Sequence, residues 1–127
     1  MKYGYKREVS ISFSEAVDKT KAELAKEGFG ILTEIDVKAT LKKKLNVDHE
    51  NYLILGACNP PFALKALQAE KDIGLLLPCN VIVYEDGGAV FVSVILPTVA
   101  MGMVENPSLE DMGKTVEEKL KKVVDNI

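Results

Sequence analysis

With two cysteines and one histidine, this 127-residue chain has few of the usual catalytic side chains. Cys58 and Cys79 are far apart with no further Cys beside them, so zinc-ribbon spacing is excluded. The single His49 rules out any paired-histidine metal motif. Basic residues are not in excess. Lys plus Arg number 16 against 19 for Asp plus Glu, a net charge of −3 that argues against non-specific nucleic-acid binding. No apolar run has the length of a membrane helix, and Met1-Lys2-Tyr3-Gly4-Tyr5 carries no apolar signal core. A cytoplasmic location with free thiols is therefore the expectation. Also missing are a glycine-rich strand-to-helix loop, a nucleotide fingerprint, a Ser-His-Asp set, linkers and repeats. What remains is 47% hydrophobic and 28% charged, enough for one core in a single domain over residues 1–127.

Hydrophobic periodicity predicts nine elements, beginning with a strand around Tyr3, Tyr5, Val9 and Ile11. Ser12 and Glu15 form a capping-box pair before a helix with Phe13, Ala16, Val17, Thr20 and Leu24 on one stripe. Gly28 suits the left-handed turn that ends it. A second strand runs from Phe29 to Ile35, and Asp36 caps a short helix carrying Val37, Leu41 and Leu45. Asn46 to Asn51 is a polar loop. Tyr52 to Ala57 is an unbroken apolar run, the pattern of a strand covered on both faces. Asn59 then reads as an N-cap and Pro60 as a first helical residue, before a helix apolar at Phe62, Ala63, Ala66 and Leu67. A short turn ends at Pro78. Two strands, Cys79 to Glu85 and Ala89 to Leu96, are joined by Asp86-Gly87-Gly88, a hairpin signal. Pro97 to Asn106 is non-periodic. A last helix, with Ser108 and Asp111 as a capping pair, buries Leu109, Met112, Val116, Leu120, Val123 and Ile127. The short second helix and the closing hairpin favour α+β over a parallel sheet. The expected architecture is two-layer, with a largely antiparallel sheet and helices packed on one face.

The two Cys-Asn pairs, Cys58-Asn59 and Cys79-Asn80, each mark a junction at the end of a predicted strand. They are the candidate ligand-binding residues, and the two cysteines are expected to approach one another at one end of the sheet. A thiol before a helix N-terminus can be activated by the helix dipole, which makes a thiol-dependent enzyme or redox sensor the alternative. The plainer reading is a pair of buried apolar cysteines and a structural cap. Asn80 at a strand entrance needs a partner or a ligand. Asp48, His49 and Glu50 could supply a general base or metal ligands, but they fall in a loop. Lys38, Lys42, Lys43 and Lys44 lie opposite an apolar stripe, where a solvated face belongs. Asp36 is explained as a cap, and Glu34 alternates outward. Met101 and Met103 can line an apolar pocket or fill the core.

The blocks Gly28-Phe29-Gly30-Ile31-Leu32-Thr33-Glu34-Ile35-Asp36-Val37, Tyr52-Leu53-Ile54-Leu55-Gly56-Ala57-Cys58-Asn59-Pro60-Pro61, Ala66-Leu67-Gln68-Ala69-Glu70 and Ile73-Gly74-Leu75-Leu76-Leu77-Pro78-Cys79-Asn80-Val81 resemble the domain of unknown function 302 family. The resemblance covers almost the whole chain. It implies a compact two-layer α+β domain, often a dimer, with no established activity and no catalytic residue to carry over. The hairpin's second strand supports a homodimer independently. Val90, Val92 and Val94 line one face and Phe91 and Ile95 the other, so helices on one side leave an apolar side uncovered. A small molecule or a protein partner near the Cys-Asn pairs is the expected ligand.

Overall fold

The computed structural model describes all residues, Met1–Ile127. Five strands and five helices follow one another as β1 (Gly4–Val9), α1 (Phe13–Lys26), β2 (Gly30–Asp36), α2 (Val37–Leu45), β3 (Tyr52–Cys58), α3 (Pro60–Ala69), β4 (Cys79–Asp86), β5 (Ala89–Ile95), α4 (Pro97–Gly102) and α5 (Glu110–Asp125). Short 3₁₀ turns at Lys71–Leu76 and Pro107–Leu109 link the later elements. The strands form one sheet in the order β1-β5-β4-β3-β2, every neighbouring pair antiparallel. No helix is long and apolar enough to cross a membrane.

Local chemistry sets most boundaries. The Glu15 amide donates to Ser12 Oγ at 3.1 Å, and Ser12 Oγ donates to the Glu15 carboxylate, which fixes the start of α1. Gly28 follows α1 at φ 86°, where a Cβ would be strained. Asp36 accepts from the Ala39 amide at 2.9 Å and starts α2. Gly87 and Gly88, both at positive φ, close the β4–β5 hairpin as a two-residue loop.

The core lies between the sheet and helices α1 and α5. Alternation on the central strands sends Leu55, Ala57, Val81, Val83, Val90, Val92 and Val94 toward the helices. Ala16, Thr20 and Leu24 of α1 meet them, with Val116, Leu120, Val123 and Val124 of α5. Each fully buried Leu or Val contributes roughly 1.5–3 kcal/mol relative to exposure. Buried Thr20 satisfies its hydroxyl by donating to the Ala16 carbonyl at 2.6 Å. The C-terminal end of α5 is clipped to β1 by Tyr5, whose hydroxyl donates to Asp125 at 2.7 Å, and by Arg7, which donates to the Val124 and Asp125 carbonyls.

Several local expectations need correction. Residues 97–106 are not wholly irregular, since Pro97–Gly102 forms α4, whose first amide is held by Glu117 of α5 through Thr98 N at 3.2 Å and Thr98 Oγ1 at 2.6 Å. Ser108 does not cap the last helix. Asn106 caps the preceding turn by accepting from the Ser108 amide, while its own amide donates to the Ala69 carbonyl. The apolar stripe of α2 stays at the periphery, because no residue of that helix is fully buried and Leu45 is 66% exposed.

The path of β2 is the largest departure from simple alternation. Ile31 pairs with Ala57, but Thr33 pairs with the adjacent Gly56, so Leu32 is an extra residue in a β-bulge. Ile31 packs into the core. Beyond the bulge the alternation is reset, and Thr33 lies on the opposite face, over Gly56.

Candidate functional site

Register places the cysteines at one end of the sheet, as the sequence led us to expect. Cys79 lies opposite Ala57, and Cys58 is the next residue along β3. Cys79 shares the helix-facing side with Val81 and Val83, both fully buried. Asn80, its neighbour, faces the other way, opposite Gly56, and is exposed. The two Cys-Asn pairs are therefore not equivalent. Cys58, Asn59 and Cys79 line one cavity, and Asn80 lies outside it.

That cavity has a volume of about 300 Å³ and is bounded by the ends of β2, β3 and β4 and by α3, α4 and α5. Its floor is Ala57, Leu109 and Phe29, all at most 5% exposed, and its mouth is rimmed by Leu32 and Leu67, 66% and 44% exposed. Met101 of α4 and Met112 of α5 form flexible walls. Of 18 lining residues 14 are hydrophobic and none is charged. The bulge at Leu32 and the helix at Met101 both contribute to this wall, and neither was expected from the sequence. The Met101 side chain was a pocket candidate, but its helix depends on Glu117, a contact that local periodicity does not encode.

Asn59 is the one amide or acid side chain in the lining, and it does not act as the expected cap. Its side chain makes no hydrogen bond to the first turn of α3. The reason is chemical. Pro60 and Pro61 occupy the first two helical positions and have no N–H, so half of the usual capping donors are missing. Asn59 Nδ2 instead donates to the Glu27 carbonyl at 3.2 Å, tying β3 to the end of α1. Gly28 makes this approach possible, because a Cβ there would lie 3.2 Å from Asn59 Nδ2. Since a carbonyl only accepts, this bond fixes which end of the amide is nitrogen.

Both thiols are free. Burial, reinforced by the neighbouring Cys58 thiol, pushes Cys79 up to about 11. The thiol is then neutral throughout the physiological range. A folded-state value above the unfolded one stabilises the fold below about pH 8.5, and that contribution is lost as pH rises through the folded value. Equilibrium unfolding measured from about pH 8 to 11 is expected to show falling stability, with a shallower fall in Cys79→Ala. Iodoacetamide at about pH 8 is expected to modify Cys79 far more slowly in the native than in the unfolded chain. Equal rates would contradict this placement.

The other candidates are spread over the surface. His49 is exposed and donates from Nδ1 to the Glu50 carbonyl at 2.7 Å, with its ring edge-on to Tyr52. No group of three or more His, Cys, Asp or Glu side chains stands together in a way that could hold a metal. Lys42 pairs with Asp48 at 3.1 Å, and Lys38, Lys43 and Lys44 are exposed. Glu34 pairs with Lys21 of α1.

The uncovered sheet face carries an aromatic ladder. Tyr52, Tyr84 and Phe91 stack across β3, β4 and β5 with ring centroids 5.3 Å apart at each step. Lys6 Nζ sits 5.2 Å from the Phe91 centroid. Burial raises the Tyr52 hydroxyl above its ordinary value, helped by the nearby Tyr84 and Tyr3.

A family model described as "Domain of unknown function DUF302" matches residues 5–127. A crystal structure of an uncharacterized conserved protein DUF302 from Bacillus stearothermophilus superposes with a TM-score of 0.93 at 29% identity, covering 99% of this chain and 98% of that one. No curated protein matches.

Proposed function

Because the chain belongs to the DUF302 family, whose description assigns no activity, its role has to be argued from the site, and we propose that it binds a small, largely apolar molecule at Cys58, Asn59 and Cys79. The observation that carries this reading is the cavity. Its 300 Å³ lies at the lower end of the ~300–1,000 Å³ typical of small-molecule sites. Its lining is apolar with one oriented polar group, the composition such sites share. Asn80 belongs to the other face of the sheet and drops out of this site.

Two observations weigh against a thiol enzyme or redox sensor. Cys79 is pushed away from the thiolate form. Cys58 precedes a helix whose first two residues are prolines, so its N-terminus lacks the row of free N–H groups found where helices activate reactive side chains. Free thiols lining an apolar cavity suit a reducing, cytoplasmic setting.

The test is a series of linear alcohols of increasing length, measured by displacement of the fluorescent probe aminoanthracene. Affinity is expected to rise about fourfold per methylene, from ~0.8 kcal/mol per buried CH₂, until the cavity is full and then level off. Ala63→Trp, which fills the cavity from α3, is expected to abolish the response. An affinity independent of chain length, or unchanged in Ala63→Trp, would overturn the proposal.

The same reading has the chain acting as a symmetric homodimer through the uncovered sheet face. Five strands spaced ~4.8 Å apart and about six residues long give a plane of roughly 24 by 20 Å. Once the relief of its side chains is included, that suits the ~800 Å² per partner of a standard interface. Tyr52, Ile54, Ile82, Tyr84, Phe91 and Ile95 supply its apolar centre, all only partly covered in the single chain. A second copy meets this patch with the same patch, which a two-fold axis closes without leaving a remainder.

A further inference from the structure

Resting on the cavity reading, we infer that the ligand's polar end is an uncharged hydrogen-bond donor, such as a hydroxyl, and that Asn59 selects it. Asn59 is 91% buried, since only 9% of its surface is exposed, and it lines the cavity. Its Nδ2 is committed to the Glu27 carbonyl, which leaves Oδ1 as the unengaged atom of the amide. No group in the chain donates to that Oδ1: α3 has no side-chain cap hydrogen bond, the two prolines have no N–H, and Ala63 N, at 2.9 Å, goes to the Asn59 main-chain oxygen. Oδ1 is also not sealed away, as no fully buried side-chain nitrogen or oxygen lacks a partner. A mostly buried amide whose accessible oxygen has no internal donor, in the lining of an apolar cavity, calls for a donor from the ligand.

The rest of the lining excludes charge. None of the 18 lining residues is charged, so a carboxylate or phosphate would lose its hydration with no cation to meet it. A primary ammonium would donate to Oδ1 but find no counter-charge. A hydroxyl loses little on entry, donates to Oδ1 and leaves its carbon chain to the Leu, Phe and Met walls. Asn59 is thus a specificity residue that acts on one end of the ligand, with the apolar walls reading its length.

Four eight-carbon probes separate these terms on the native protein, again by displacement of aminoanthracene: octanol, methyl heptyl ether, octane and octanoate at about pH 8. Octanol donates, the ether only accepts, octane does neither and octanoate is charged. Octanol is expected to bind ~3–10-fold more tightly than the ether or octane, the worth of one hydrogen bond, and at least ~30-fold more tightly than octanoate. Asn59→Leu is expected to bring octanol level with octane while octane binding persists. Equal binding of the three neutral probes by the wild type would overturn the donor assignment and leave the cavity reading standing. Octanoate binding as tightly as octanol would overturn the exclusion of charge. A preference for octanol that survives in Asn59→Leu would remove Asn59 from the role. If none of the four displaces the probe, the cavity reading fails together with this inference. The wild-type ranking decides the matter even if Asn59→Leu does not fold.

Discussion

Gly56→Ala is expected to destabilise the fold by about 1–3 kcal/mol, the usual range for overpacking a tight site. By conformational preference alone the change should help, because glycine in a strand interior costs roughly 0.5–1 kcal/mol relative to alanine. The two effects have opposite signs, and geometry decides between them. A Cβ at Gly56 would fall 2.2 Å from Thr33 Oγ1 and 2.8 Å from Pro78 Cγ. Thr33 can rotate, but the proline ring next to Cys79 cannot yield without moving the start of β4. Urea denaturation of Gly56→Ala and of the Gly56→Ala/Thr33→Ala double variant measures this directly. The double variant is expected to recover part of the loss, with the Pro78 contact accounting for the remainder. A Gly56→Ala protein as stable as wild type would mean that β2 and the Pro78 segment adjust freely around this strand.

Ile82→Asp is expected to weaken self-association on the order of a hundredfold, since a carboxylate would be buried near the centre of the proposed interface without a partner. Ile82 lies between Gly56-facing Asn80 and the ladder residue Tyr84 on β4, pointing away from the core. The fold itself should tolerate the change, because the residue's outer surface meets no helix. Sedimentation equilibrium at micromolar concentration should give twice the 13.9 kDa chain mass for the wild type and about the chain mass for the variant. A wild-type monomer at that concentration would remove the homodimer. An Ile82→Asp dimer would move the interface to another surface.

Elements whose ends rest on neighbouring residues were legible from the sequence. Ser12, Gly28, Asp36 and the Gly87-Gly88 turn act within three or four positions, so propensity and turn chemistry suffice for them. The shared end of Cys58 and Cys79 was legible too, because both follow from strand alternation and a short return through Pro78. The same alternation puts Asn80 on the sheet face opposite Cys79 once Val81 and Val83 are assigned to the core, a signal that was available in the sequence. Asn59 was misread for a physical reason. Its composition suits a cap, but Pro61 removes one of the two donors a cap can use, and the side chain turns to Glu27, distant in sequence. Asn106, α4 and the Leu32 bulge depend in the same way on contacts between remote segments, to Ala69, Glu117 and β3 respectively.

Leu32 has a consequence beyond the cavity mouth. β2 is an outer strand of the sheet, with one side unpaired. A flat outer strand invites another chain to add on and continue the ladder without limit. Here the bulge twists the strand away from regular pairing, and exposed Glu34 and Asp36 place two carboxylates along its second half. An incoming strand would meet an irregular ladder flanked by two carboxylates already engaged by Lys21 and by the first turn of α2. Open-ended strand addition is thereby disfavoured at this edge, which leaves the broad face of the sheet, the proposed interface, as the surface on which a single partner would end growth.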